Sequence, residues 1–374
     1  MMPKRNILID GTTILSQMDG LSQYILNIVS WLDVEKANFT FIVRPNECPT
    51  DYLEKFIAKG ISIEEVVIAP IGPIRELQFL LFFMKKRRKY DAAFFPSNQF
   101  PVFATLPSLY TIHDLIYEQF PEQLGKLSGL KRLFLHWNVK VGLRKANKVI
   151  AVSDYTRQEI IKYHGEKHKD KIEVIHEGWE HLSKPLPLTV IQKPWLNYIF
   201  YVGNSRGHKN LINLLYAIFK IKDKLPQNYG VLICGNTISL QKKYQELIEK
   251  INRQRQIISF TGWVSDEELI DYFSKANAFI FPSLSEGFGI PVLEAFYYQV
   301  PTLLSNQGSL PEVAGDSAIY FNPNDKSDIA GKIMDFIKNE DDIAPKLKLK
   351  GTERLKKFGW QKASNEILKQ LLKI

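Results

Sequence analysis

The chain has 374 residues, of which 45% are hydrophobic, 12% aromatic and 24% charged, and its formal net charge is +9. This length exceeds what one hydrophobic core usually fills, so we expect two domains, and the composition excludes a disordered chain. Only two cysteines occur, Cys48 and Cys234, which excludes a disulfide framework and favours a reducing compartment.

Two apolar stretches bear on whether the chain is secreted or crosses a membrane. The stretch from Ile7 to Ile9 ends at Asp10, well short of the apolar segment of a signal peptide, so we expect no secretion. The longest apolar run, Phe79 to Met84, is much shorter than the roughly 20 residues that cross a bilayer. These features predict a cytoplasmic protein without a membrane span.

Short apolar runs alternate with helix-like segments along the whole chain. This alternation predicts parallel sheets with helices on both faces, an α/β architecture used twice. The predicted strands are Asn6 to Asp10, Phe39 to Val43, Ala92 to Phe95, Ser108 to Ile112, Lys148 to Val152, Tyr198 to Val202, Val231 to Cys234 and Ala278 to Phe281.

Two apolar stripes at helical spacing are predicted to belong to the cores. A stripe with this spacing identifies the side of a helix that packs against other elements. The first stripe consists of Leu130, Leu133, Phe134, Trp137 and Val141, and the second of Leu211, Leu214, Leu215 and Ile218.

Two clusters of cations stand out from an otherwise even charge. Five consecutive cations occupy Lys85 to Lys89, and the segment from Lys126 to Lys148 carries seven cations and no anion. Such clusters are typical of surfaces that meet anionic lipid or a phosphate-bearing acceptor, and they suggest peripheral contact with the inner face of a membrane. The alternative is a pair of solvated helix faces whose cations complement helix dipoles.

A predicted domain boundary lies where prolines interrupt any regular element. Pro185, Pro187 and Pro194 fall in one short segment, and the strand that begins at Tyr198 starts a new unit. We assign residues 1–190 to the first domain and residues 191–357 to the second.

The first candidate site is the loop in YVGNSRGHKNLINLL, which follows the predicted strand ending at Val202. Gly203 and Gly207 loosen the turn before the next helix. Arg206 and Lys209 then lie where backbone N–H groups and the helix dipole attract anions, so the loop predicts a diphosphate site. The alternative is an ordinary strand-to-helix turn with surface cations.

The same loop matches the nucleophile pattern of serine hydrolases, GNSRG, with Ser205 at its centre. In that fold the acid and the histidine follow the serine along the chain. The only histidine after Ser205 is His208, three residues on, and it cannot complete such a triad. A hydrolase is therefore a remote alternative.

The second candidate site is the loop in FPSLSEGFGIPVLEA, which follows the predicted strand Ala278 to Phe281. The glycines of the turn Gly287-Phe288-Gly289 let the backbone approach a ligand, and Pro291 suits the first position of a helix. Glu286 on the loop and Glu294 one turn into that helix are good acceptors for vicinal hydroxyl groups such as those of a nucleotide sugar. The alternative is a capping acid and a surface acid.

The third candidate site is the pair His113 and Asp114, which follows the predicted strand Ser108 to Ile112. Side chains at the carboxyl end of such a strand face the ligand edge of a sheet, so we expect this pair to face the donor across an interdomain cleft. The alternative is a structural histidine that a neighbouring backbone group satisfies.

No metal site is expected in the chain. Four histidines, at positions 164, 168, 176 and 181, fall within 18 residues, but no cysteine accompanies them and lysines intervene. The chain also lacks an Asp-x-Asp pair, the usual holder of a divalent ion on a diphosphate. We therefore expect cations and a helix end to neutralise the diphosphate.

In chain order these motifs resemble the retaining GT-B glycosyltransferases of the family 4-like group, which includes bacterial mannosyl- and glucosyltransferases of surface-polysaccharide assembly. The resemblance covers nearly the whole chain. The motifs that carry it are DGLSQY, TIHDLIYEQFPE, VIAVSDYTRQEI, VIHEGWE, YVGNSRGHKNL, FTGWVSDEEL, SLSEGFGIPVLEA and PTLLSNQGSLPEVAGDSAIYFNPND.

The resemblance implies a GT-B fold and a role for each candidate residue. The fold would have two Rossmann-like doubly wound domains facing across a cleft, with a C-terminal helix, residues 358–374, returning to the first domain. The implied roles are diphosphate binding by Gly203, Arg206, Lys209, Gly287, Phe288 and Gly289, ribose and base binding by Glu294, Trp263 and Val264, catalysis by His113 and Glu286, and an acceptor-side or glycine-loop role for Gly20, Ser22 and Asp114.

Two departures from the family pattern qualify these implications. Ser22 stands where the glycine loop of the family usually has a second glycine, which weakens the case for backbone contact with phosphate there. Asn204 stands where many relatives place a cation, so Arg206 would carry more of the charge.

The function implied is retaining transfer of a hexose from a nucleotide sugar to a saccharide or lipid-linked saccharide in surface-polysaccharide or lipopolysaccharide synthesis. GDP-mannose is the favoured donor and a UDP-sugar the alternative. A GT-B sugar-nucleotide epimerase would share the fold. A nucleic-acid binder would draw on the charge of +9, but the cations lack interleaved aromatic residues, so we expect no nucleic-acid partner.

Overall fold

The structure is a computed structural model that describes residues 3–16, 19–125, 128–182 and 195–374. The chain divides into two compact units, of which the first comprises Met1–Gly178 with Phe358–Ile374 and the second comprises Trp179–Lys357. The boundary that the sequence predicts, between residues 190 and 191, lies outside the described residues.

The first unit is built on a parallel sheet of seven strands. Its elements in chain order are β1 (Arg5–Asp10), α1 (Gly20–Trp31), β2 (Ala37–Val43), α2 (Thr50–Lys59), β3 (Ser62–Glu65), α3 (Pro73–Lys86), β4 (Ala92–Phe95), β5 (Ser108–Ile112), α4 (Ile116–Gln119), α5 (Ser128–Lys145), β6 (Lys148–Ala151), α6 (Asp154–His164) and β7 (Ile172–Val174). The strand order is β3-β2-β1-β4-β5-β6-β7. Strand order therefore reverses between β1 and β4, the switch point of a doubly wound sheet.

The second unit repeats this plan with six parallel strands. Its elements are β8 (Asn197–Val202), α7 (Leu211–Ile221), β9 (Tyr229–Cys234), α8 (Ile238–Lys243), α9 (Gln245–Asn252), β10 (Ile258–Gly262), α10 (Asp266–Ser274), β11 (Ala278–Phe281), α11 (Ile290–Tyr297), β12 (Thr302–Ser305), α12 (Leu310–Ala314), β13 (Ala318–Phe321), α13 (Lys326–Lys338) and α14 (Glu340–Leu355). The strand order β10-β9-β8-β11-β12-β13 places the switch point between β8 and β11.

The last helix, α15 (Trp360–Leu371), belongs to the first unit. It packs on α1, where the fully buried Trp360 meets the Tyr24 ring edge-on with 5.9 Å between ring centroids. The Ser364 hydroxyl donates to the Ile28 carbonyl at 2.9 Å. An aromatic anchor and a buried hydrogen bond thus fix the end of the chain to the first unit.

All eight predicted strands are present, and the alternation predicted an α/β fold correctly. β4, β5 and β11 have the predicted bounds, and the other five differ by one or two residues at an end. Five further strands were missed, namely β3, β7, β10, β12 and β13. β3 and β7 are the two edge strands of the first sheet. Their sequences, SIEE and IEV, are short and contain too few apolar residues to be recognised as strands.

The α7 stripe is buried as predicted, but the α5 stripe is only partly core: Val141 is buried, and the rest of the prediction is wrong. Leu130, Leu133 and Trp137 are 70%, 67% and 47% exposed, whereas Val139 and Leu143 on the other side of α5 are buried. Helical spacing identifies an apolar face but does not say which element covers it, and in this helix a second apolar face does the packing.

The helix α3 exposes a similar stripe. Ile74, Leu77, Leu81 and Met84 are all at least half exposed, while Phe79 on the opposite side is buried. Both helices pack on one core cluster, and the Asn138 amide of α5 lies 3.4 Å from a Glu76 carboxylate oxygen of α3. No helix in the described ranges is both long and apolar enough to cross a bilayer.

A fully buried ion pair lies at the switch point of the first sheet. Arg75 of α3 donates to the Asp10 carboxylate at 2.6 Å, and both side chains are 0% exposed. The other Asp10 oxygen accepts the Thr12 amide and hydroxyl at 2.9 and 2.6 Å, and the Arg75 guanidinium stacks over the Phe79 ring. The pair connects the end of β1 to α3, and loss of Arg75 would leave the Asp10 carboxylate buried without its counter-ion.

We expect Arg75→Leu to lower the free energy of unfolding by about 3–5 kcal/mol, because it leaves the Asp10 carboxylate buried and uncompensated. Urea unfolding followed by tryptophan fluorescence measures the change. The matched control is Lys169→Leu, which removes an exposed pair with Glu166 and should change the free energy by less than about 1 kcal/mol. Equal effects of the two substitutions would contradict this role.

Candidate active site

The two candidate loops of the second unit form one site at the switch point of the sheet. β8 and β11 are paired as parallel neighbours, so the loops that follow them leave the sheet side by side. The Leu284 amide of the second loop donates to the His208 carbonyl of the first at 2.7 Å. The residues predicted separately for diphosphate and sugar binding therefore lie together.

An ion pair connects the two loops. Lys209 Nζ lies 2.9 Å from both carboxylate oxygens of Glu286, and the side chains are only 18% and 10% exposed. The ammonium also lies 5.1 Å from the centroid of the Phe281 ring. Such a largely desolvated pair costs free energy to bury and is retained only when both partners are well satisfied. The structure thus places two predicted site residues in direct contact.

Lys209 is positioned by the left-handed residue that follows it. Asn210 has φ 55°, and its side-chain amide donates to the carbonyls of Pro282 and Pro323 at 3.0 and 2.8 Å. Asparagine is one of the few residues that tolerate this backbone region, which lets the chain turn sharply into α7. The buried side chain of Asn210 thereby anchors the loop to two other segments of the unit.

The neighbouring His208 is a packing residue. Its side chain is buried, and burial is the main cause that lowers its pKa to about 4; the cations Lys209 and Arg206 also lower it, while Glu286 opposes them. The imidazole is therefore neutral near pH 7 and adds no charge to the site.

Glu286 is positioned by a serine from the next strand's loop. The Ser309 hydroxyl lies 3.0 Å from the Glu286 carbonyl and 2.6 Å from the Phe288 carbonyl. Gly289, with φ 106°, is the N-cap of α11, which begins at Ile290, one residue before the predicted start. The Phe288 side chain is buried, so the turn that includes Gly287 can offer only backbone groups to a ligand.

Arg206 is the exposed cation of the site. Its backbone amide donates to the Asn204 side chain at 3.1 Å, and within the described part of the chain its guanidinium forms no ion pair. The nearby Gly203 carbonyl would lie 2.3 Å from a Cβ on Gly235, whose φ is 118°, so only glycine fits at the end of β9. This close approach holds the loop before Arg206 against the sheet.

The hydrolase alternative has no support in this geometry. The Ser205 hydroxyl lies 3.0 Å from the Ser239 hydroxyl, and the neighbouring His208 is buried. A nucleophilic serine needs an exposed oxygen and a general base within hydrogen-bond reach.

The predicted ribose and base residues lie on the same edge of the sheet. Glu294, in α11, is largely buried, and the His181 ring lies 3.9 Å from its carboxylate. Trp263 and Val264 follow β10 directly, and Trp263 is 65% exposed. One strand, β9, separates β10 from β8, so these residues flank the ion pair along the carboxyl edge.

In the first unit His113 follows β5, and protein groups face both of its ring nitrogens. Nε2 donates to the Pro96 carbonyl at 2.9 Å, and Nδ1 lies 3.4 Å from the Glu177 carboxylate. The ring also meets Tyr24 edge-on with 4.5 Å between centroids. Burial lowers the pKa of His113, but the hydrogen bond and charge of Glu177, with smaller contributions from Pro96 and Asp114, outweigh burial and raise the pKa.

Glu177 is the site residue that sequence reasoning missed. It is buried three residues beyond the end of β7, and β7 was itself not predicted. Recognition of that strand would have placed Glu177 at the carboxyl edge of the sheet beside His113.

The remaining predicted residues of the first unit lie at the starts of two helices, α4 and α1. Asp114 accepts the amide of Ile116, the first residue of α4, at 3.2 Å. Gly20 and Ser22 form the first turn of α1 and not a loop, because the Asp19 carboxylate caps that helix by accepting the Ser22 amide at 2.8 Å. The Ser22 hydroxyl is also bonded to Asp19 and lies buried.

Family profiles match both units. The profile described as Glycosyltransferase Family 4 matches residues 18–180, and the profile described as Glycosyl transferases group 1 matches residues 192–356. The chain belongs to the family 4-like glycosyltransferases. A family 4-like enzyme has the GT-B fold, and the two parallel doubly wound units agree with it.

Several relatives of this glycosyltransferase are mannosyltransferases. O-antigen chain mannosyltransferase B of Escherichia coli is 28% identical over 69% of this chain and 68% of its own length. The serotype-specific mannosyltransferase WbdA of Escherichia coli is 26% identical over 80% of this chain, but the match spans only 37% of WbdA. O-antigen chain mannosyltransferase RfbU of Salmonella typhimurium is 28% identical over 58% of this chain and 57% of its own length.

Solved structures share the fold of this glycosyltransferase at low identity. Anabaena HepE in complex with UDP and glucose has a TM-score of 0.74 at 16% identity and covers 99% of this chain and 100% of its own. WaaG, a glycosyltransferase involved in lipopolysaccharide biosynthesis, has a TM-score of 0.73 at 14% identity and covers 98% of this chain and 99% of its own.

We expect Lys209→Met to lower the free energy of unfolding by about 2–4 kcal/mol, because the Glu286 carboxylate would lose its counter-ion in a largely desolvated position. Glu286→Gln in the same chain should recover part of this loss, since the neutral amide tolerates the absent ammonium. A double-mutant cycle by urea unfolding measures the coupling.

The matched control for this cycle is Lys222→Met with Asp223→Asn, an ion pair whose carboxylate is mostly exposed. Its coupling should stay below about 1 kcal/mol. Strict additivity of the Lys209 and Glu286 substitutions would show that the two charges do not depend on each other.

Proposed function

We propose that this glycosyltransferase moves mannose, with retention of configuration, from GDP-mannose to a saccharide or lipid-linked saccharide acceptor in lipopolysaccharide or other surface-polysaccharide synthesis. The observation that carries the proposal is the contact between Lys209 and Glu286 at the switch point of the second unit. It joins a cation suited to a diphosphate with an acid suited to a sugar hydroxyl. The mannosyltransferase relatives support the choice of sugar.

In this proposal the second unit holds the donor diphosphate without a metal. Arg206 and Lys209 supply the positive charge, and the backbone of Gly203 and of the Gly287–Gly289 turn approaches the phosphates closely. Because Glu286 already neutralises Lys209, the exposed Arg206 carries much of the attraction for an incoming diphosphate. This division of charge agrees with the absence of a cation at Asn204.

Recognition of the nucleotide falls to the flanking residues of the same edge. The Glu294 carboxylate would accept the vicinal ribose hydroxyls, and the exposed Trp263 with Val264 would contact the base. HepE is known in complex with UDP and glucose, so a UDP-sugar is the competing donor for the same site.

The proposed chemistry is displacement on one face of the sugar. The bond from the anomeric carbon to the diphosphate oxygen breaks as the acceptor oxygen bonds to the same face, and the acceptor proton passes to the leaving diphosphate. Arg206, Lys209 and backbone N–H groups stabilise the charge that develops on the diphosphate, so the contribution of the protein is electrostatic and positional. Glu286 orients the sugar through a hydroxyl.

His113 is proposed to act on the sugar from the first unit. Its raised pKa favours the protonated ring, which can polarise a hydroxyl of the transferred sugar once the Pro96 carbonyl gives up its hydrogen bond. Asp114 and the first turn of α1 with Gly20 and Ser22 would lie on the acceptor side.

We expect Arg206→Ala to lower turnover with GDP-mannose by about two orders of magnitude, the scale seen when one preorganised charge contact to a transition state is lost. Arg206 is exposed and forms no ion pair within the described residues, so the variant should unfold at the same temperature as the parent protein. Release of GDP in the presence of acceptor measures turnover, and Lys250→Ala on α9 is the exposed-cation control.

Two outcomes would count against the assignment. Unchanged sugar transfer by Arg206→Ala would remove the diphosphate role of this loop. Tighter binding of UDP than of GDP in a calorimetric titration would reject GDP-mannose as the donor while leaving the transferase in place.

We also propose that the first unit rests on an anionic membrane surface. The helices α3 and α5 pack on one core cluster through their buried sides, and the exposed apolar stripe of each accompanies one of the two cation clusters. Apolar side chains flanked by lysine and arginine are the composition that binds the headgroup region of a bilayer. A membrane-bound acceptor would thereby be brought to the enzyme.

We expect the double substitution Leu81→Glu with Leu133→Glu to weaken binding to vesicles of phosphatidylglycerol and phosphatidylcholine by at least about tenfold, since it places anions in both stripes. Co-sedimentation at low salt measures binding, and higher salt should weaken it. Leu349→Glu on α14, which is 67% exposed like Leu133, is the matched control. Equal binding by all three proteins would reject the surface.

A further inference from the structure

Three potential metal ligands converge in the first unit, on helices that the proposed donor site does not use. Glu118 belongs to α4, His136 to α5 and His164 to the last residue of α6. Each offers one ligand atom, and these three atoms all lie within 4.8 Å of one another. Glu118 is buried, and the two histidines are partly buried.

The contacts inside this cluster pre-arrange a ligand set. His136 Nδ1 lies 2.6 Å from one oxygen of Glu118, and Arg132 Nε donates to the other oxygen at 2.7 Å. The His136 and His164 rings are stacked with 4.4 Å between centroids and 27° between planes. Arg132 holds the carboxylate in place, as an outer partner of a metal ligand would.

His164 supplies an independent observation. Both of its ring nitrogens are buried, and neither has a hydrogen-bond partner. Buried polar groups are nearly always paired, so an imidazole with two unsatisfied nitrogens calls for an explanation.

We propose that Glu118, His136 and His164 bind a divalent transition metal of the zinc class through two imidazole nitrogens and one carboxylate oxygen. Ligand atoms about 2.0–2.2 Å from a tetrahedral metal lie roughly 3.4 Å apart, a spacing between the 2.6 and 4.8 Å found in this cluster. Small side-chain rotations therefore complete the site. Its fourth position is left for water.

The proposed ion would hold three helices of the first unit together. α4 begins three residues after His113, and the amide of Gln119 in α4 already donates to Glu159 of α6 at 2.7 Å. A metal at Glu118 adds a further connection between α4 and α6 and joins both to α5. We therefore assign the ion a structural role that steadies the segment after His113.

The spacing of the three proposed ligands along the sequence does not indicate a metal site. The sequence predicts no metal at the four histidines 164, 168, 176 and 181, and the proposed site differs from that expectation because it combines His164 with ligands from elsewhere in the chain. His176 packs on the Phe358 ring, and His181 lies beside Glu294 in the second unit. The ligands that do meet His164 come from 28 and 46 residues earlier in the chain, a separation that matches no short metal motif.

Titration of the full-length, untagged, metal-depleted protein with Co²⁺ and then Zn²⁺ tests the proposal. We expect one equivalent of Co²⁺ to give the visible absorption of a low-symmetry nitrogen and oxygen site, Zn²⁺ to displace it, and Zn²⁺ to raise the melting temperature. His164→Ala should weaken Zn²⁺ binding by at least about tenfold, and Glu118→Gln, which keeps the size of the side chain, should do the same.

His168→Ala, four residues beyond His164, is the matched control and should bind Zn²⁺ like the parent protein. Circular dichroism verifies that each variant is folded. The proposal is overturned if the parent and His164→Ala proteins bind Zn²⁺ equally, or if Mg²⁺ displaces Co²⁺ at equal concentration, because Mg²⁺ prefers oxygen ligands.

Discussion

The ion pair between Lys209 and Glu286 is the interaction on which the proposed site depends. It joins the loops after β8 and β11 at the point where strand order reverses, and it keeps two largely buried charges in fixed positions before any ligand arrives. A donor diphosphate would accept hydrogen bonds from the Lys209 ammonium while Glu286 stays beside it. A hydroxyl of the sugar would then replace part of the contact between Lys209 and Glu286. Charges already in place need little reorganisation during the reaction, which is the main electrostatic advantage of an enzyme site.

The backbone around this pair is held by a left-handed turn and by side-chain hydrogen bonds to backbone carbonyls. Asn210 turns the chain in a left-handed conformation and bonds two proline carbonyls, while Ser309 holds the backbone of the Glu286 loop. These residues have no expected contact with a substrate. They matter because a cation and an acid on long side chains act reliably only when the backbone beneath them is rigid.

Sequence patterns predicted the α/β class and eight strands, because buried parallel strands are continuous apolar runs. They failed at short strands such as β3, where little apolar surface is present, and at the start of α5, where Leu133 lies on the exposed part of an apolar stripe. For the site, strand ends followed by glycine and charge predicted that Lys209 and Glu286 are functional residues. Their direct contact, the Glu177 partner of His113 and the grouping of His164 with Glu118 depend on which strands and helices are neighbours, which spacing does not reveal.

A crystal structure of the protein with bound GDP-mannose tests the central claim most directly. The account predicts diphosphate oxygens within about 3 Å of Lys209 Nζ and of the Arg206 guanidinium, with a mannose hydroxyl at the Glu286 carboxylate. A nucleotide bound elsewhere, with the Lys209 and Glu286 pair intact and untouched, would contradict it.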